Sequence, residues 1–328
     1  METIIKKKYT KSAILNSVFL SLTVIHIILI SLVILPDYVN GDQFDYRRLY
    51  SGLEGLSLSD GFIFYNNAVG SEEPIYFLFS WVLSNLGIEK DTFIIIANAI
   101  LGIVGYKTLL RLGSKPYIAY IIISFNFYFL VFYFSAERLK FALIFLFLSY
   151  LVKKVKWLYV LLSILSHSQV LIFYTSILAP KLKFLLYNVF IKFKLKYRYI
   201  WIAIALIAGT SIVLAVLGNH LSAKLEAYYT TDSSIIDLLR MLAFFALSFL
   251  YSKKKIDTLY AFFPLLLLVF FLGGERVNFI GYFVFLYFSI HYRGGLNLGV
   301  ILTNVYFIIV GFSFLQNILN YGDGFYLH

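Results

Sequence analysis

Long apolar runs separated by short polar punctuation dominate this chain of 328 residues. A helix needs roughly 20 apolar residues to cross a bilayer, and many of the runs approach or exceed that length. Ser12–Leu35 is the first, followed by Thr92–Leu110, Tyr117–Phe134 and Arg138–Val152. Tyr199–Gly218, Ile235–Tyr251, Thr258–Leu272, Val277–Ile290 and Leu298–Leu315 complete the series. The pattern predicts an all-α, polytopic helical membrane protein with about ten or eleven transmembrane segments. It forms a single integral membrane domain, 1–328. Two runs depart from the pattern. Pro74–Leu86 has about half the length of a straight span and is expected to be a half-length or re-entrant helix. Leu158–Ala179 has basic residues on both flanks, so it is expected to go out and return as two short arms, with His167 near the bend.

Composition narrows the class. Hydrophobic residues make up 61% of the chain, aromatic residues 20% and charged residues only 14%. A soluble domain of this size could not keep so much apolar surface out of water. The absence of cysteine excludes disulfides, thiol catalysis and cysteine-ligated metal. A net charge of +11 would suggest nucleic acid in a soluble protein. Here it is read as loop lysines and arginines that set orientation, with no nucleic-acid partner.

Those charges also give the topology. Lys6, Lys7, Lys8 and Lys11 precede the first run. That run is longer than the core of a secretory signal (about 7–15 residues), so it is expected to be an uncleaved anchor with a cytoplasmic N-terminus. The first external loop is then 36–73, the basic internal loop 181–198, and the second external loop 219–234. If Pro74–Leu86 does not cross, all of the 17 acidic residues except Glu2 and Asp257 lie outside. Only Arg47, Arg48, Lys90, Arg138, Lys140, Lys224, Arg240 and Arg276, of 28 basic residues, join them.

The outward arginines are the candidate chemistry. Arg138 and Arg276 each follow a glutamate, Glu137 and Glu275, at the start of an apolar run, and Arg240 lies near another outer helix end. A helix N-terminus is already partly positive, so an arginine there is unfavourable unless an anion is bound. The plainer reading is that these arginines pair with nearby acids or snorkel to headgroups. His167 is a candidate base, or a hydrogen-bonded residue steadying a helix break. Asp42 and Asp45, three apart, share a face of any helix there, as base, sugar ligand or solvated loop acids. Tyr46 and Tyr50 can stack on a sugar ring or belong to an interfacial belt. No pair of histidines has metal-ligand spacing, so neither a metal nor another cofactor is expected.

In their order these residues resemble the EpsG-like family of bacterial polysaccharide polymerases, which includes many Wzy O-antigen and capsule polymerases. The family's D-x-x-x-Y-x-x-x-Y element appears as Asp42, Tyr46 and Tyr50, and its E-P pair as Glu73-Pro74. Its R-Q-x-x-A element appears as Arg138 to Ala142, with Leu139 in place of glutamine. Its histidine appears as His167, preceded by Ser166 where the family usually has phenylalanine. Lys224-Leu225, Tyr228 and Glu275-Arg276 look like its later elements.

The resemblance implies a GT-C-like architecture in the bacterial inner membrane with a periplasmic active site. It implies transfer of a growing glycan from undecaprenyl pyrophosphate to the non-reducing-end sugar of another lipid-linked repeat unit. A Wzz-like chain-length regulator and a flippase would be assembly partners. In that scheme Arg138 and Arg276 bind the donor pyrophosphate and Arg240 assists. His167 or Asp42 is the base, and Tyr46, Tyr50, Glu73, Glu137, Tyr228 and Glu275 contact sugar. An O-antigen ligase and a polyprenyl-phosphate-sugar glycosyltransferase remain alternatives, the second kept open by the pair Asp42 and Asp45. A lipid-linked-glycan flippase is the alternative from another class, and would place charged, broken elements near the midplane.

Overall fold

The computed structural model describes residues 2–186, 235–272 and 274–326. The expected span Tyr199–Gly218, the loop 219–234 with Lys224 and Tyr228, and most of 181–198 lie outside the described residues. The described chain is helical, without a strand. Its helices are α1 (Glu2–Asp37), α2 (Asp42–Gly52), α3 (Leu58–Val69), α4 (Pro74–Asn85), α5 (Lys90–Arg111), α6 (Pro116–Phe125) and α7 (Phe127–Phe134). After these come α8 (Glu137–Leu151), α9 (Lys156–Ser166), α10 (Val170–Leu186), α11 (Ile235–Tyr251), α12 (Lys255–Leu272), α13 (Gly274–Ser289) and α14 (Leu298–Tyr321).

Among the described residues, three helices are long and apolar enough to cross a membrane: Ser12–Asp37, Lys90–Arg111 and Tyr292–Tyr321. Pro116–Phe125 and Phe127–Phe134 make a fourth if the pair, bent by 52°, is one span. The other apolar runs fold as shorter helices. At 1.5 Å per residue, the 12-residue α4 reaches about 18 Å, well short of a hydrocarbon core of about 30 Å. Leu158–Ala179 divides into α9 and α10, and the break falls at His167.

The chain forms two compact units, Met1–Val170 with Ile290–His328, and Leu171–Ser289. In the first, α1 and α5 run antiparallel. At one end the Tyr106 hydroxyl donates to the Asn16 carbonyl at 3.2 Å. At the other, Arg47 donates to the carbonyls of Leu35 (2.6 Å), in the last turn of α1, and Tyr38 (3.2 Å), just beyond it, and pairs with Asp91 at the start of α5 (3.0 Å). A guanidinium on carbonyls at this end of a helix is a favourable C-terminal cap. α8 runs parallel to α5: the two start together at the Lys90–Glu137 pair and end together, where Arg111 donates to Leu151 O at 2.8 Å. Exposed Lys107, Arg111, Lys115, Lys153, Lys154 and Lys156 therefore flank the ends of α5 and α8, away from the helix starts described below.

The bend between α6 and α7 has a clear cause. Asn126 is extended (φ −73°, ψ 133°) and caps α7 by accepting from the Tyr128 N–H at 3.1 Å. Its amide donates to Asn304 Oδ1 at 3.2 Å, and the Tyr133 hydroxyl donates to the Ile123 carbonyl at 3.0 Å. α14 can approach this break because Gly311 faces it. A Cβ there would stand 2.8 Å from Leu130 Cδ1 and 3.1 Å from the Phe125 carbonyl oxygen. Broken helices survive in apolar surroundings only when the freed backbone groups find such partners.

In the second unit α11, α12 and α13 pack together. Phe244 of α11 stacks on Phe285 of α13, with ring centroids 6.1 Å apart. Asp237 of α11 accepts from the Asn278 amide of α13 at 2.9 Å and from Arg240 at 3.3 Å. Gly274 opens α13 against Asp237 so closely that a Cβ would lie 2.1 Å from its side chain.

Candidate functional site

A buried polar knot at the start of α8 positions the site. Glu137 is fully enclosed, an arrangement that needs every lone pair engaged. Its Oε1 accepts from Lys90 Nζ at 2.7 Å and Gln43 Nε2 at 2.8 Å, and its Oε2 accepts from the Tyr76 hydroxyl at 2.6 Å. Lys90 also donates to Gln43 Oε1 at 2.6 Å, and the Gln43 amide donates to the Phe134 carbonyl. Lys140, also enclosed, donates to the Tyr133 carbonyl at 2.9 Å. One carboxylate thus ties together α2, α4, α5 and α8.

These contacts bear on three expectations. Glu137 is a structural anchor, with both oxygens engaged by protein donors. Lys90 and Lys140 are buried within the fold. Tyr50 is an internal residue, because its hydroxyl donates to the Ile88 carbonyl at 2.8 Å and its ring stacks on Phe93.

Glu137 and Arg138 part company at the helix start. While Glu137 points inward, Arg138 reaches Glu73 Oε2 through Nη1 at 3.2 Å, and its Nε lies 3.4 Å from the Tyr46 hydroxyl. Glu73 is the N-cap residue of α4, held extended (φ −75°, ψ 110°) ahead of Pro74, which disfavours the helical alternative. Its Oε2 also accepts from Ser71 Oγ at 3.1 Å. Its Oε1 accepts from His167 Nδ1 at 2.5 Å and from the Ser168 N–H at 3.1 Å. His167 occupies the C-cap of α9 with an extended backbone, which turns its ring out of the helix line.

Electrostatics follow from these contacts. Burial alone would raise the Glu73 carboxyl, but His167, Arg138 and the Ser168 N–H outweigh it and bring its pKa down to about 2. The ionised carboxylate can only accept, so the Nδ1 hydrogen of His167 faces it and the neutral ring keeps its lone pair on Nε2. A carboxylate, a histidine with a fixed tautomer and an arginine form a constellation able to accept a proton and hold an anion.

Arg138, Glu73, His167 and Tyr46, expected from four separate stretches, come together here. Arg138 does pair with an acid, though with one 65 positions away rather than with its neighbour. Tyr46 packs edge-on against Tyr76, centroids 5.6 Å apart, so it presents its hydroxyl rather than an open ring face. Asp42 is exposed at the start of α2 and accepts from Ser135 Oγ at 2.5 Å, outside the Glu73 hydrogen bonds. Asp45 is exposed.

Arg240, Glu275 and Arg276 belong to the second unit. Arg240 is exposed and pairs with Asp237, and Arg276 is an exposed residue in the first turn of α13. The Glu275 side chain and all of Tyr228 lie outside what is described. Gln43, Tyr76, Ser71 and Ser168 were not expected. Gln43 had a signal, since it falls on the face of α2 that also carries Tyr46, Leu49 and Tyr50, all buried.

Comparison with family models, curated proteins and solved structures finds no match for the chain.

Two outcomes test this geometry. Lys90→Met leaves Glu137 short of its cation, so stability in detergent should fall by about 3–5 kcal/mol, and an unchanged unfolding midpoint would contradict the anchoring role. The folded pKa of Glu73 is depressed, so its stabilisation is full above its unfolded value and is lost as pH falls toward about 2. The difference in thermal midpoint between wild type and Glu73→Gln should be flat above about pH 5 and shrink steadily below. A difference that persists unchanged to pH 3 would count against an ionised Glu73.

Proposed function

We propose that this protein is a membrane glycosyltransferase that polymerises undecaprenyl-pyrophosphate-linked oligosaccharide repeat units at the periplasmic face of the bacterial inner membrane. The observation that carries the reading is the convergence of Arg138, His167 and Tyr46 on Glu73. Each comes from a different motif of the polymerase family the sequence resembles. The site also lies where α1 ends and α5 and α8 begin, which the Arg47–Asp91 and Lys90–Glu137 pairs hold together. With a cytoplasmic N-terminus, that end of α1 is external.

The reaction needs three things from the protein. The acceptor sugar hydroxyl attacks the anomeric carbon of the donor glycan, and the bond from that carbon to the pyrophosphate oxygen breaks. His167 Nε2 accepts the hydroxyl proton. Arg138 stabilises the charge that grows on the leaving pyrophosphate through charge-assisted hydrogen bonds. Tyr46, beside Arg138, is placed to orient sugar or phosphate oxygen. His167 is preferred to Asp42 as the base because Glu73 sets its tautomer next to the arginine.

Arg138→Ala should abolish long chains on a gel of surface glycan while the protein still accumulates in the membrane. Arg138→Lys should also be poor, because an ammonium lacks the planar fork. A normal ladder from a well-expressed Arg138→Ala protein would overturn the assignment. Loss of the first repeat itself would point to ligation or flipping instead.

A further inference from the structure

We propose that Glu73 couples donor binding to the strength of the base, because one carboxylate is shared between the anion-binding arginine and the histidine. The inference rests on the reading of Arg138 as the donor-phosphate ligand and adds a regulatory step to it. The two oxygens divide the work. Oε2 faces Arg138 (3.2 Å) and Ser71 (3.1 Å), and Oε1 faces His167 (2.5 Å) and the Ser168 N–H (3.1 Å). Glu73 is held in place by Pro74 and by all four donors, and α8 is pinned by the Glu137 knot. Arg138, 24% exposed, meets Glu73 through Nη1 alone while its Nε faces the Tyr46 hydroxyl, and it is the member that can exchange partners.

Without donor, the guanidinium draws on the carboxylate that supports His167 Nδ1–H, and its own positive charge also disfavours protonation of the ring. A pyrophosphate arriving at Arg138 competes for the same guanidinium. As it engages Arg138, the charge of Glu73 is left to the histidine, and Nε2 becomes a stronger base. The base is thus strengthened when a donor is present. Among the described residues, the other titratable groups facing the cluster include Tyr46 from α2 and Tyr65 from α3, both acting on Arg138, with Glu137 and Asp42 acting in turn on Tyr46. Ser71 and Ser168 add neutral donors. Glu73 is a positioning residue in this scheme, since it reaches the reacting atoms only through its two partners.

The test is an NMR titration of histidine rings in the full-length protein in detergent, with the His167 signal assigned by its loss in His167→Gln. Inorganic pyrophosphate is the probe. In wild type, pyrophosphate should raise the His167 pKa by about half a unit or more, the size expected when a neighbouring charge is rearranged. Arg138→Gln should raise it without pyrophosphate, and added pyrophosphate should then do nothing. Glu73→Gln should lower it and shrink the pyrophosphate response. An equal rise in wild type and Glu73→Gln would mean that the ligand acts on the ring directly, and would overturn the coupling. So would a His167 pKa indifferent to Arg138→Gln. Failure of pyrophosphate to shift any histidine in wild type would instead overturn Arg138 as the anion ligand. The wild-type titration needs no variant, so a variant that does not fold leaves that arm decisive.

Discussion

A carboxylate buried beyond the reach of water is tolerable only when cations and donors surround it, and Glu137 is such a group. Lys90, Gln43 and Tyr76 supply its partners from three other helices. The cost of leaving any of them unpaired makes the start of α8 the least negotiable point of the first unit. Everything that looks functional is hung from that point. Arg138 is the next residue, and its direction follows from its neighbour's being locked inward. Tyr46 lies one turn along α2 from the anchoring Gln43, and Glu73 precedes the helix that carries Tyr76. The knot therefore sets distances in the site without taking part in its chemistry.

The chemistry is concentrated on Glu73. Arg138 and His167 compete for its charge from opposite oxygens, with serine and backbone donors completing the shell. The arrangement is a histidine supported by a carboxylate, as in many acid–base sites, but the carboxylate also answers to a cation. An arginine already paired with an acid is a weaker standing attraction for an anion than a lone one. It is also one whose occupancy can be felt by a base.

Much of this was legible in the chain. The apolar runs announced an all-helical chain with helices long and apolar enough to cross a membrane, and the break at His167 and the half-length of Pro74–Leu86 were readable from flanking charge and length. Arg138, Tyr46, Glu73 and His167 were each legible as candidates from motif order, though their convergence on Glu73 was not. What stayed hidden was burial of charge. Lys90 sits between Glu89 and Asp91, and Glu137 stands beside Arg138 after a serine and an alanine. Each looks like an ordinary polar helix end, because local sequence carries no trace of a partner 47 positions away. The bend at Asn126 was hidden for a similar reason. Tyr117–Phe134 is apolar throughout apart from Ser124 and Asn126, and the break depends on Asn304 and Gly311 from the far end of the chain.

The central claim is that this protein lengthens a lipid-linked glycan by displacing a lipid pyrophosphate. Purified protein in liposomes, supplied only with undecaprenyl-pyrophosphate-linked repeat units, addresses it directly by measuring glycan length together with released undecaprenyl pyrophosphate. The account predicts glycans of two or more repeats, with one lipid pyrophosphate released for each bond formed. Repeat units that stay single, or that cross the bilayer unchanged without release of lipid pyrophosphate, would contradict it.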